Sequence, residues 1–219
     1  MTRLLCLGDS YTVGEGVAPD EAWPARVAAA LRTDGLNVAP PTVVAQTGWT
    51  TEDLAAALDA APPDRGLSEP ANAVTLLIGV NDQYRRPDAD AYRARFAALL
   101  ARAVALAGGP QTGGPQTGRA ERVVVVSIPD WGRTPHGAAP PEDADVPVRT
   151  PAEIGREVDA FNAAARAEAD AAGARWVDVT ALSREQGALV AADGLHPSGA
   201  AYAAWAERIA PAVRAALGA

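Results

Sequence analysis

The segment Leu4–Thr12 reads LLCLGDSYT, an apolar run from Leu4 to Leu7 that stops at Gly8-Asp9-Ser10. A short continuous apolar run closed by turn residues is the pattern of a strand covered on both faces. The same pattern recurs at Ala73–Ile78 (AVTLLI) and Val123–Ile128 (VVVVSI). Thr42–Ala45 and Arg175–Val179, rich in β-branched residues, read as two further strands.

Between these runs the apolar spacing becomes helical. Glu21–Arg32 carries Trp23, Val27, Ala30 and Leu31 on one face, with Gly35 beyond its end. Thr50 or Thr51 caps a helix that carries Leu54 and Leu58 and stops before Pro62-Pro63. Asp88–Ala107 presents Tyr92, Phe96, Leu99, Leu100 and Ala103 at helical spacing, and Pro151–Ala172 turns Ile154, Val158 and Phe161 inward. Ser198–Leu217 forms a last helix with Tyr202, Trp205 and Ile209. Apolar strands alternating with helices predict an α/β chain: a three-layer α/β/α arrangement around a parallel sheet. Ligands in such sheets sit beyond the carboxyl ends of the strands, which places Ser10, Gly48, Asn81 and the segment after Val123–Ile128 at one edge.

The length of 219 residues fits one domain over 1–219. Two loops interrupt the pattern. The stretch 108–119 is low in complexity, since GGPQT at Gly108–Thr112 repeats at Gly113–Thr117. The second, 129–150, is rich in Pro and Gly and falls beside the expected site.

Composition narrows the function. The net charge is −8, and every basic residue is arginine. Nucleic acid is not an expected partner, because phosphate contacts need concentrated positive charge. Without lysine there is neither Schiff-base chemistry nor a P-loop lysine. The single Cys6 lies in an apolar run and reads as a small buried hydrophobe, so no intramolecular disulfide is expected. No run approaches the ~18 apolar residues of a membrane span, and the residues after Met1 show no leader pattern, so the expected compartment is the cytoplasm.

Ser10 follows the first strand, where a sheet presents reactive groups, but a serine hydroxyl needs a base to become a nucleophile. There are two histidines. His196 lies in DGLHPS, with Asp193 three residues upstream able to accept from its Nδ1 and leave Nε2 for Ser10. Gly48, after the second strand, lets a backbone N–H approach a ligand, and Asn81, after the third, offers an amide donor. Read singly, each of these residues is ordinary turn or capping chemistry.

Taken together, GDSYT around Ser10, TGWT around Gly48, GVND around Asn81 and DGLHPS around His196 resemble the SGNH/GDSL hydrolase family over nearly the whole chain. The resemblance implies a flavodoxin-like fold with five parallel strands in the order 2-1-3-4-5. It implies Ser10 as nucleophile, His196 as base and Asp193 as the acid orienting it. It also implies an oxyanion hole built from the Ser10 and Gly48 N–H groups and the Asn81 side chain. The first motif departs from GDSL at Tyr11, a position outside the proton relay. The expected substrate is a small soluble ester with no cofactor and no metal. Trp49, Tyr84, Trp131 and His136 are expected to shape its pocket. Lysophospholipase or thioesterase action on the same residues, a non-catalytic ester- or acyl-sugar-binding domain, and a metal-dependent hydrolase using Asp9, Asp82, Asp193 and His196 are the competing readings. Oligomeric state is not legible in the sequence. An α/β-hydrolase fits less well than this family: Thr12 stands at the last glycine of its G-x-S-x-G elbow, and its acid and histidine normally come from separate loops.

Overall fold

The computed structural model describes residues 1–61, 67, 69–85, 88–108, 120–139 and 147–219. Its centre is a sheet of five strands: β1 (Leu4–Asp9), β2 (Thr42–Gln46), β3 (Ala73–Leu77), β4 (Val123–Val126) and β5 (Arg175–Val177). They are ordered β2-β1-β3-β4-β5, and every neighbouring pair is parallel. This is the fold and strand order that the family resemblance implied.

Eight α-helices are described. They are α1 (Ser10–Val13), α2 (Trp23–Thr33), α3 (Thr51–Asp59), α4 (Val80–Arg85), α5 (Ala89–Leu106), α6 (Pro151–Ala172), α7 (Thr180–Glu185) and α8 (Gly199–Ala216). The helices α2 and α8 pack together, as do α5 and α6, and both pairs lie against the sheet. The inner strands β1, β3 and β4 are buried along their whole length. The outer strands differ: Val43 in β2 is exposed, and Arg175 and Trp176 in β5 are half-buried, because an edge strand lacks one neighbour.

Local chemistry sets the helix ends. Thr50 and Asp53 form a reciprocal capping box at α3, and Thr150 and Glu153 form another at α6, with Pro151 in its first turn. Gly173 ends α6 in the left-handed region. Ser198 caps α8. Three strands stop earlier than the sequence reading, at Leu77, Val126 and Val177. The helices α1, α4 and α7 span four to six residues, too few for apolar periodicity to reveal them. The 129–150 segment is not plain loop: Trp131–Arg133 and His136–Ala138 are 3₁₀ turns. Residues 140–146 of that segment, 109–119 of the low-complexity loop and the Pro62-Pro63 stop lie outside the described residues.

The strand order reverses at β1, since the chain moves from β1 to β2 on one side and then to β3 on the other. The crevice at that switch point, beyond the carboxyl ends, is where α/β sheets of this kind hold ligands. Ser10 leaves β1 there, Val80 and Asn81 leave β3, and Gly48 follows β2.

Candidate active site

Ser10 is the first residue of α1, and Asp9 caps that helix by accepting from Tyr11 N–H at 3.0 Å. The strand-to-helix turn is tight: a Cβ on Gly8 would collide with the Thr12 hydroxyl and the Leu77 carbonyl. Tyr11 C=O accepts from Trp23 Nε1 at 3.0 Å, which fixes α1 against α2. As the opening residue of a helix, Ser10 has an N–H that its own helix cannot satisfy.

His196 reaches Ser10 across 186 residues of chain, with Nε2 2.9 Å from Oγ. Its Nδ1 lies 2.6 Å from Asp193 Oδ2. The second Asp193 oxygen accepts from Leu195 N–H at 2.9 Å and His196 N–H at 3.0 Å, an Asx turn that sets the spacing of acid and base. Partial burial of Asp193 opposes its ionisation, but the His196 ring and these two backbone donors outweigh it and hold the carboxyl below its ordinary value. The loop is closed by a bridge between Val190 and Pro197 and by His136 N–H donating to Gly194 C=O at 3.0 Å. The Tyr11 ring lies 5.1 Å from the imidazole, and His196 is 7% exposed.

Gly48 has φ +83°, a conformation costly for residues with a Cβ. It occupies the third position of a four-residue turn closed by Trp49 N–H to Gln46 C=O at 3.2 Å. Its own N–H has no acceptor among the described residues. Asn81 Nδ2 donates to Trp49 C=O at 2.9 Å, which uses one amide hydrogen and leaves the other.

Ser10, Gly48, Asn81 and His196 line one open cavity of about 670 Å³. Tyr84, Trp131 and His136 form part of the same wall. That wall is braced from behind. Arg149, 7% exposed at its side chain, lies 5.7 Å from the Tyr84 ring centre and 5.8 Å from that of Trp131. It also donates to the Gln83 and Tyr84 carbonyls and to Glu157. Trp131 Nε1 donates to Gln83 Oε1 at 2.7 Å.

Asp193 sits behind the imidazole rather than in the cavity wall. Trp49 does not line the cavity; its ring packs against the core. Tyr11, Thr47, Val80 and Leu195 do line it, and sequence reasoning passed over them because each only neighbours a motif residue. The metal-dependent alternative needs Asp82 as a ligand, yet its oxygens accept from Thr51 N–H at 2.8 Å and Thr51 Oγ at 2.6 Å. Among the described residues no group of three or more His, Cys, Asp or Glu could hold a metal ion, and no helix is long and apolar enough to cross a membrane.

The parallel sheet, with its polar groups gathered at the switch point, defines an α/β protein of flavodoxin-like architecture. Residues 6–204 match the model of the GDSL-like lipase/acylhydrolase family, and the chain belongs to that family. Three solved structures share the fold over nearly their whole length. The psychrotrophic esterase EstA from Pseudoalteromonas sp. is 15% identical, with all of both chains covered and a TM-score of 0.69. A lipase/acylhydrolase from Enterococcus faecalis is 21% identical, covering 100% of this chain and 96% of its own, with a TM-score of 0.68. An acetylxylan esterase from Geobacillus stearothermophilus is 21% identical, covering 100% of this chain and 94% of its own, with a TM-score of 0.62. No curated protein sequence is detectably similar to this chain.

Proposed function

We propose that the chain, acting as one domain, is a serine esterase that hydrolyses small uncharged carboxylic esters through an acyl-enzyme on Ser10. The observation that carries this reading is the unbroken line Ser10 Oγ, His196 Nε2, His196 Nδ1, Asp193 Oδ2, with contacts of 2.9 and 2.6 Å. A hydroxyl bonded to an imidazole that a carboxylate orients is the arrangement that makes serine a nucleophile.

Ser10 Oγ attacks the ester carbonyl carbon, and its proton passes to His196 Nε2. The carbonyl oxygen becomes an oxyanion, held by the Gly48 and Ser10 N–H groups and the free Asn81 amide hydrogen. When the carbonyl re-forms, the carbon–alkoxy bond breaks and His196 returns its proton to the departing alcohol. Water then adds to the acyl-enzyme with His196 again taking a proton, and the carboxylic acid leaves as Ser10 is restored. Asp193 remains ionised throughout and holds Nδ1–H in place.

Uncharged substrates are favoured by the wall chemistry. Among the described residues, none lining the cavity carries a guanidinium or a carboxylate, and Tyr84, Trp131, Val80 and Leu195 supply apolar surface. The likeness to an esterase and an acetylxylan esterase agrees with this substrate class.

The test is a panel of nitrophenyl esters of rising chain length, acetylated sugars and acyl-thioesters, run on the parent and on Ser10→Ala. Turnover of a short ester by the parent, and none by folded Ser10→Ala, is the expected result. Retained turnover in Ser10→Ala would refute the assignment. A fluorophosphonate probe should label Ser10 in the parent; an inert serine would point instead to a binding domain. The similar esterase EstA was itself solved inhibited by monoethylphosphonate. A chelator should leave the rate unchanged, because both imidazole nitrogens already have partners in Ser10 and Asp193.

A further inference from the structure

Three side chains of the short helix α4 hold the segment that contains Gly48. Arg85 Nη2 donates to Gly48 C=O at 2.9 Å, and Asn81 Nδ2 donates to Trp49 C=O at 2.9 Å. Asp82 accepts from Thr51 N–H at 2.8 Å. Asn81 and Arg85 are four residues apart and so share one helix face. The turn is also restrained by the Trp49–Gln46 bond, at 3.2 Å, and by the Thr47 hydroxyl, which donates to the Glu15 carboxylate. Glycine is the residue with the widest backbone freedom, and Gly48 is held at φ +83°. A donor N–H stabilises charge in a transition state only if its direction is fixed beforehand.

We infer that Arg85 is a positioning residue: its guanidinium anchors the Gly48 carbonyl and so aims the Gly48 N–H into the cavity. The inference rests on reading Gly48 as an oxyanion donor. Arg85 itself does not line that cavity. Its other partner is Asp53, 3.9 Å away, and its side chain is 51% exposed. An exposed ion pair of that length contributes little to folding. Its bond to Gly48 therefore matters for the geometry of the site rather than for global stability, and substitutions at Arg85 leave a folded protein to assay.

Arg85→Met keeps much of the side-chain length and removes the donors; Arg85→Lys keeps one cationic donor. Both are to be assayed beside the parent, Ser10→Ala, and Arg214→Met, a control on the remote Arg214–Asp34 pair. Arg85→Met should lower kcat by roughly tenfold with KM within about twofold, the pattern of an interaction made in the transition state. Fluorophosphonate labelling of Ser10 should slow by a similar factor, Arg85→Lys should recover most of the loss, and Arg214→Met should match the parent. Melting temperatures of both Arg85 variants should stay within about 2 °C of the parent. Parent-like kcat in Arg85→Met, a loss confined to KM, or Arg85→Lys as impaired as Arg85→Met would overturn the inference. With Ser10→Ala inactive, any of these leaves the esterase reading standing. Turnover by Ser10→Ala would instead overturn that reading and this one with it.

Discussion

Replacing Asn81 by alanine removes an amide with two roles, one in the proposed mechanism and one in the fold. One hydrogen of Nδ2 bonds to Trp49 C=O at 2.9 Å, and the other is available to the oxyanion. Loss of a single oxyanion donor in a water-poor site costs about 100- to 1,000-fold in kcat, or roughly 3–4 kcal/mol of transition-state stabilisation. The bond to Trp49 is a separate loss, on folding: a neutral hydrogen bond in a half-buried setting contributes about 1 kcal/mol, which for a chain of this size is about 2–4 °C in melting temperature. The two effects are therefore measurable independently. Steady-state kinetics on a short nitrophenyl ester should show kcat and kcat/KM falling together with KM nearly fixed, because the ground-state carbonyl gains little from the donor. Thermal melts should show only the small shift. A folded Asn81→Ala protein with kcat within about threefold of the parent would remove Asn81 from the oxyanion hole. A loss expressed only in KM would reassign it to substrate binding.

Asp193→Asn should keep the loop geometry yet lower kcat by about 10³- to 10⁴-fold, since an amide no longer enforces the Nδ1–H tautomer; initial rates with the same ester would show it. Asp9 is fully buried, and desolvation above all, aided by the charge of Asp82 and opposed by Tyr11 N–H, pushes its carboxyl up to about 8. The fold thus favours the protonated form, so the chain is most stable with respect to this group below about pH 4 and loses stability as pH rises toward 8. Asp9→Asn should accordingly raise the melting temperature relative to the parent at pH 8.5, with the gap closing toward pH 4; a gap that does not change with pH would contradict this. Glu157→Ala strips partners from Arg149 and from Gln83 Nε2, which bond it at 2.9 and 2.6 Å. Leaving that guanidinium under two aromatic rings without its carboxylate should cost about 2–3 kcal/mol, seen as a lower urea midpoint with an unchanged slope.

Much of this molecule is written locally. The apolar runs of β1, β3 and β4 and the helical spacing of α5, α6 and α8 mark their elements directly, because burial on a given face dictates residue type along a short stretch. The capping signals at Thr50, Thr150 and Ser198 are equally local, since each bonds a backbone N–H within three residues. Short elements fall below this resolution. The helix α4 is six residues long, and nothing in VNDQYR distinguishes it from a loop. Arg85 was consequently invisible as a neighbour of Gly48, although it stands four residues after Asn81.

The order and apolar character of the strands, the four motifs and the Asp193–His196 spacing are properties of the sequence by itself. Side-chain chemistry and local backbone preference act over a few residues and leave their mark in the order of letters. Tertiary structure alone decided that Ser10 and His196 meet at 2.9 Å and that Tyr84 and Trp131 line the cavity while the half-buried Trp49 does not. It also decided that Arg149 braces that wall from behind. Those outcomes depend on how β1, β3 and the loop before α8 pack around a shared sheet, and contacts between distant segments arise from the packing of the whole chain rather than from any one stretch of it.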